Sequence, residues 1–120
     1  MKANELMIGD LVKISKGNWS ENRQVGLIDI EMIAESVYLA DPIPLTAEIL
    51  EKNGWENSAP DVWQKEYGGL VFYWENGTRR FGMNDFRHLQ EQWEIHLRIM
   101  HTHELQHALR LCGIEHEITL

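Results

Sequence analysis

The 120-residue chain reads as an α+β domain: a small antiparallel N-terminal sheet, a short helix, an antiparallel β-meander and a C-terminal helix. Three observations predict this. Alternating apolar residues open the chain, and two apolar runs flank an Asn-Gly pair in its middle. Two amphipathic stretches each begin after a threonine and stop at a glycine.

Leu6-Met7-Ile8-Gly9-Asp10 ends in a Gly-Asp turn, and residues 11–14 alternate as a strand, with Leu11 and Lys13 on one face and Val12 and Ile14 on the other. A polar loop is expected over 15–23. Residues 24–33 read as a second strand, with Val25, Leu27 and Asp29 on one side and Ile28, Ile30 and Met32 on the other. Residues 36–39 are expected to form a third. Short strands joined by polar turns suggest a curled, SH3-like sheet, a statement about shape and not about function. Asp41-Pro42-Ile43-Pro44 then breaks the strand pattern, because proline has no N–H to give a ladder.

Thr46 is placed to cap a helix over 47–53, and Gly54 to end it in a left-handed turn. Residues 70–75 and 78–82 flank Asn76-Gly77, which suits a two-residue type I′ hairpin turn, and residues 62–67 are expected to pair with that hairpin. Residues 94–100 alternate as a further strand. The last helix is predicted from about His103 to Cys112, with Thr102 as cap and Gly113 as stop. The tail, 114–120, is able to add an edge strand.

Composition sets bounds on function. This length matches one ordinary domain, and neither repeats nor low-complexity tracts divide it, so a single domain over 1–120 is expected. Eleven basic against nineteen acidic residues leave a net charge of −8. Phosphate backbones are gripped through Lys and Arg, so this balance argues against general nucleic-acid binding. The single cysteine, Cys112, excludes an internal disulfide and fits a reducing compartment. The N-terminal residues lack the apolar run of a secretory signal, and no stretch approaches the ~20 apolar residues that span a bilayer. A cytoplasmic protein is expected.

One string carries a chemical mechanism. His103-Glu104-Leu105-Gln106-His107 matches the His-Glu-x-x-His pattern of zinc peptidase helices, in which two imidazoles one turn apart bind zinc and the glutamate takes a proton from the metal-bound water. His103 and His107 would be the ligands and Glu104 the base. His116 or His101 would supply the third ligand, with Glu115 and Glu117 as further options. Three points oppose this. Leu105, Ala108, Leu109 and Cys112 form the apolar stripe of the helix, and His103 and His107 lie almost opposite it, where solvent is the simpler neighbour. Arg110 follows on the histidine face, unfavourably for a dication. Only thirteen residues follow His107 to build the wall of a cleft. The expectation is no catalytic residue, no metal and no cofactor, with zinc on this string as the alternative.

Other features have plainer readings. Of five tryptophans, Trp63 and Trp74 fall in predicted strands and are expected in the core, whereas Trp19, in a polar loop, is the candidate partner contact. Gly68-Gly69 lacks the rest of a phosphate-binding motif, so nucleotide binding is unsupported. Cys112 sits on the apolar stripe and is expected to be an inert thiol. Ser20, Ser36 and Ser58 have no nucleophile-elbow context, and Asp85 and Glu91 give no sign of glycosidase chemistry.

The segments Met1-Lys2-Ala3-Asn4-Glu5-Leu6-Met7-Ile8-Gly9-Asp10, Pro42-Ile43-Pro44-Leu45-Thr46-Ala47-Glu48-Ile49-Leu50 with Asn53-Gly54-Trp55, and His103-Glu104-Leu105-Gln106-His107-Ala108-Leu109 carry a resemblance. In these the chain resembles a family of small uncharacterised proteins of phages, prophages and mobile elements of Bacteroides and its relatives. The likeness touches both ends and the middle. The family's C-terminal segment reads more like Val-His-Gln-Leu-Gln-Asn, so Glu104 and His107 depart from it. The resemblance implies an accessory protein that binds another protein, and it brings no reaction.

The leading expectation is therefore a non-enzymatic protein-binding module with an unknown protein partner or a second copy of itself. A minimal zinc hydrolase is the alternative. A nucleic-acid mimic, which would need its acids in one ordered stripe, is the third.

Overall fold

The computed structural model describes residues 1–85, 97–114 and 117–120. It is α+β, with two antiparallel sheets and three α-helices among the described residues. The chain divides into two compact units, residues 1–44 with 101–107 and residues 45–100 with 108–120.

In the first unit, β1 (Leu11–Lys16) lies between β2 (Trp19–Gln24) and β3 (Leu39–Pro42). A helix, α1 (Leu27–Ala34), joins β2 to β3. Val12 and Ile14 on β1 pack with Leu6, Val25, Ile33 and Ala40 into this unit's core. Several expectations are corrected here. The polar loop at 15–23 is two strands joined at Gly17, whose φ of +59° provides the left-handed turn. The strand expected over 24–33 gives way to α1. The run Leu27-Ile28-Asp29-Ile30-Glu31-Met32-Ile33-Ala34 satisfies both a two-residue and a helical period, and capping decides between them. Gly26 donates its N–H to the Asp29 carboxylate at 3.0 Å, the N3 half of a capping box, and Asp29 is itself fixed by Arg23 at 2.7 Å. The third strand starts later than expected because residues 36–38 close α1: Val37 and Tyr38 both donate to Met32 O. Pro42 is inside β3 after all, opposite Val12, on an edge strand where a missing N–H is tolerated.

The second unit begins with α2 (Ala47–Lys52). Thr46 Oγ1 accepts from Ile49 N–H, and Gly54 follows at φ +87°, as its sequence requires. A five-stranded meander follows, ordered β4 (Glu56–Ala59), β5 (Val62–Tyr67), β6 (Leu70–Glu75), β7 (Arg80–Asp85) and β8 (Leu97–Arg98). Trp63, Phe72, Trp74 and Phe81 are buried, and the rings of Phe72 and Phe81 stack with centroids 5.7 Å apart. The two-residue turn lies at Gly68-Gly69, where both φ angles are positive as type I′ demands. Asn76-Gly77 instead sits in a longer connection closed by Arg79 N–H donating to Glu75 O at 2.9 Å. Arg79 takes the left-handed φ there, at +62°, held by its guanidinium donating to Leu45 O at 2.7 Å and lying 5.2 Å over the Trp74 ring. Of the strand expected at 94–100, residues 94–96 lie outside the described residues, Leu97–Arg98 form β8, and residues 99–100 are not in a strand.

The final helix, α3, spans Thr102–Leu111. Thr102 is its first residue and not its cap, a place taken by His101. Gly113, at φ +75°, ends it, with Ile114 N–H returning to Leu109 O at 2.9 Å. Residues 117–120 form no strand. They are tied by Asn53, whose side chain accepts from Thr119 N–H and donates to Thr119 O, both at 2.7 Å. No described helix is long and apolar enough to cross a membrane.

Candidate functional site

The first half of α3 belongs to the first unit, and there the His-Glu-x-x-His string does something other than face solvent. The expectation that its histidines point to water is corrected: His103 is only 9% exposed, Gln106 is buried beside Leu105, and His107 is half-buried. The apolar stripe is present, with Leu105, Ala108 and Leu109 buried. The helix is covered on its polar side as well.

Each polar letter can be followed to its partner. Glu104 accepts from the backbone N–H of His101 at 2.9 Å, and the same Oε1 is 2.9 Å from His101 Nδ1. His101 holds the cap position and Glu104 is three residues into the helix, so this carboxylate is the reciprocal half of a capping box. It satisfies a donor that the helix end would otherwise leave open and places a negative charge at the positive end of the dipole.

Gln106 bridges in both directions. Its Oε1 accepts from Leu11 N–H at 2.7 Å and its Nε2 donates to Gly9 O at 3.0 Å. One side-chain amide therefore pairs with alternate backbone groups at the start of β1, as a neighbouring strand would.

His107 Nε2 lies 2.7 Å from Asp10 Oδ2. Asp10 has no exposed surface, and the same oxygen accepts from Met7 N–H at 2.8 Å, closing the turn that Asp10 N–H makes with Met7 O. A buried carboxylate requires such partners. Since a carboxylate accepts, this bond assigns the donor role to His107 Nε2 and engages that ring nitrogen.

His103 stands between the other two imidazoles. Its ring stacks on His101 at 5.8 Å and meets His107 edge-on at 5.6 Å. Its buried Nδ1 has no hydrogen-bond partner, and nor has the buried Thr102 Oγ1. Burial holds its pKa below the usual 6.5; Asp10 and Glu104 oppose this shift, while His107 and His101 add to it.

Of the residues expected for zinc, the structure thus brings His103, His107, Glu104 and His101 together. His116 and Glu115 lie outside the described residues, and Glu117 is exposed. Among the described residues no three His, Cys, Asp or Glu side chains form a group able to hold a metal ion. The arrangement performs capping, clamping and hydrogen bonding to a buried carboxylate. Sequence reasoning missed Asp10 and Gln106, because both act on partners 95 or more positions away. Gly9-Asp10, read as a turn, was the only local sign.

Trp19 is on β2 and 43% exposed, its ring 6.1 Å from Tyr38 and under the Arg23 guanidinium at 5.3 Å. Trp63 and Trp74 are in the core, and Trp74 Nε1 donates to Ile99 O at 2.9 Å. Cys112 is half-buried and 3.7 Å from Met83 Sδ; burial raises its thiol pKa, which suppresses the reactive thiolate. Asp85 and Glu91 have no described side chains. No protein-family model, curated protein or solved structure matches the chain.

Proposed function

We propose that this chain is a non-enzymatic protein-binding module, an accessory protein of phage or mobile-element origin acting in the cytoplasm. The observation that supports it most is the occupation of Glu104 and His107. The groups that would serve a zinc hydrolase as base and second ligand are engaged in a helix cap and in a bond to buried Asp10. Freeing them would leave a helix end uncapped and take one hydrogen bond from a buried carboxylate, each unfavourable. Exposed apolar side chains on the first unit supply contact surface for a partner.

Elemental analysis of protein made without a histidine tag tests this reading. The expected result is zinc far below one equivalent, unchanged in His107→Ala. One equivalent of zinc that is lost in His107→Ala, together with peptide hydrolysis lost in Glu104→Gln, would replace the binding module with the hydrolase.

A further inference from the structure

The outward side of α1 is unusual for a surface helix. Leu27 and Ile28 are 64% and 69% exposed, and beyond them the same side carries exposed Glu31, Ala34 and Glu35. Ile33 and Asp29 point the other way, into the core and toward Arg23. The apolar surface continues past the helix start. Gly9 N–H donates to Val25 O at 2.8 Å and Val25 N–H to Asp10 O at 2.9 Å, which ties the segment that carries exposed Ile8 to the residues just before α1. At the other end of α1, Ala34 and Ser36 wall a groove of about 410 Å³ shared with Ala3, Tyr38 and Leu39. That volume admits one or two apolar side chains.

The charge on α1 itself has one sign, while the groove at its end is mixed, lined by Lys2 and the Met1 ammonium together with Asp41. Within α1 and its C-cap the ionisable residues are Asp29, Glu31 and Glu35, with no base among them, and Arg23 already takes Asp29. The short helical turn that carries exposed Glu5 packs on α1 as well. Resting on the reading of the chain as a binding module, we infer that the outer face of α1, from Ile8 to the groove at Ala34, docks a basic amphipathic polypeptide segment. Its apolar side chains cover Leu27 and Ile28 and reach the groove, and its Lys or Arg residues face Glu31 and Glu35. A second copy fits less well, because a two-fold pairing through this face sets Glu31 and Glu35 against the same carboxylates. Phosphate-bearing partners are repelled by the same acids.

Three synthetic amphipathic helices test this, sharing one leucine stripe and bearing Lys, Gln or Glu on the polar face. Binding to the full chain is followed by fluorescence anisotropy. The Lys peptide is expected to bind at least about tenfold more tightly than the Gln peptide, with the Glu peptide weakest. Leu27→Ser with Ile28→Ser, and separately Glu31→Lys with Glu35→Lys, are each expected to weaken the Lys peptide about tenfold or more. Leu111→Ser, a change at an exposed leucine elsewhere, leaves it unaltered. Equal binding of all three peptides, or no binding of any, overturns the assignment. So does a homodimer in sedimentation that Ile28→Ser breaks. If the α1 variants bind normally while Trp19→Ala does not, the α1 assignment fails and the binding-module reading stands. The zinc result described above is the separate one that removes that reading.

Discussion

The five-stranded meander and the unit built on β1 to β3 bury different kinds of side chain. The meander encloses Trp63, Phe72, Trp74 and Phe81, all apolar or aromatic, between strands that follow one another in sequence. The first unit encloses Asp10, Thr102, His103 and Gln106, and its bonds from the start of β1 reach residues 95 and 97 positions away. One region is held by local pairing and apolar area; the other adds to its own apolar core and hairpin a few long-range polar bonds. A motif that reads as catalytic therefore serves as architecture where the chain closes on itself.

The contrast can be broken at several points. The largest loss is expected from Trp74→Ala, which removes a fully buried indole and its bond to Ile99 O and should cost about 3–5 kcal/mol in denaturant unfolding. Asp10→Ala should cost about 3 kcal/mol, because Met7 N–H and His107 both lose a charged acceptor. Hydrogen exchange sharpens the comparison: amides of Met7 and Leu11 should lose protection in Asp10→Ala, while those of β5 and β6 keep theirs. Gly82→Ala should cost about 1–3 kcal/mol, since a Cβ there would meet the Tyr73 ring at 2.3 Å, and Tyr73→Ser should recover part of the loss. Glu104→Ala removes a cap and should cost about 1 kcal/mol by thermal melting, with Glu104→Gln retaining part of it.

The smallest effect is one of pH. His103 has a folded-state pKa below its unfolded value, so the unfolded chain takes up this proton first. Its contribution is complete above about pH 6.5 and declines as pH falls through the folded-state value. His103→Gln should flatten that part of the stability profile below 6.5, and an unchanged slope would contradict the burial assigned to this imidazole.

Much of the second unit was legible in the sequence. Thr46, Gly54 and the apolar runs at 62–67 and 70–75 each act on near neighbours, so local chemistry fixes them. Gly68-Gly69 shows what partial reading costs: dismissed as a phosphate loop, it is the type I′ turn, while Asn76-Gly77 lost that role because Arg79 is anchored by Leu45 and Trp74. In the first unit, the alternation of residues 25–33 was real but compatible with two periods, and only the Asp29 cap and its bond to Arg23 decide for helix. The fate of His103 to His107 was not legible, because helical periodicity identifies opposite faces without saying that both are covered.

The central claim is that Asp10 and His107 are bound to each other as a structural pair. A double-mutant cycle with Asp10→Asn, His107→Gln and their combination measures that coupling directly in denaturant unfolding. The structure predicts a favourable interaction of about 1–3 kcal/mol, present with or without a chelator. Additive single effects, or a coupling that appears only when zinc is supplied, would contradict it.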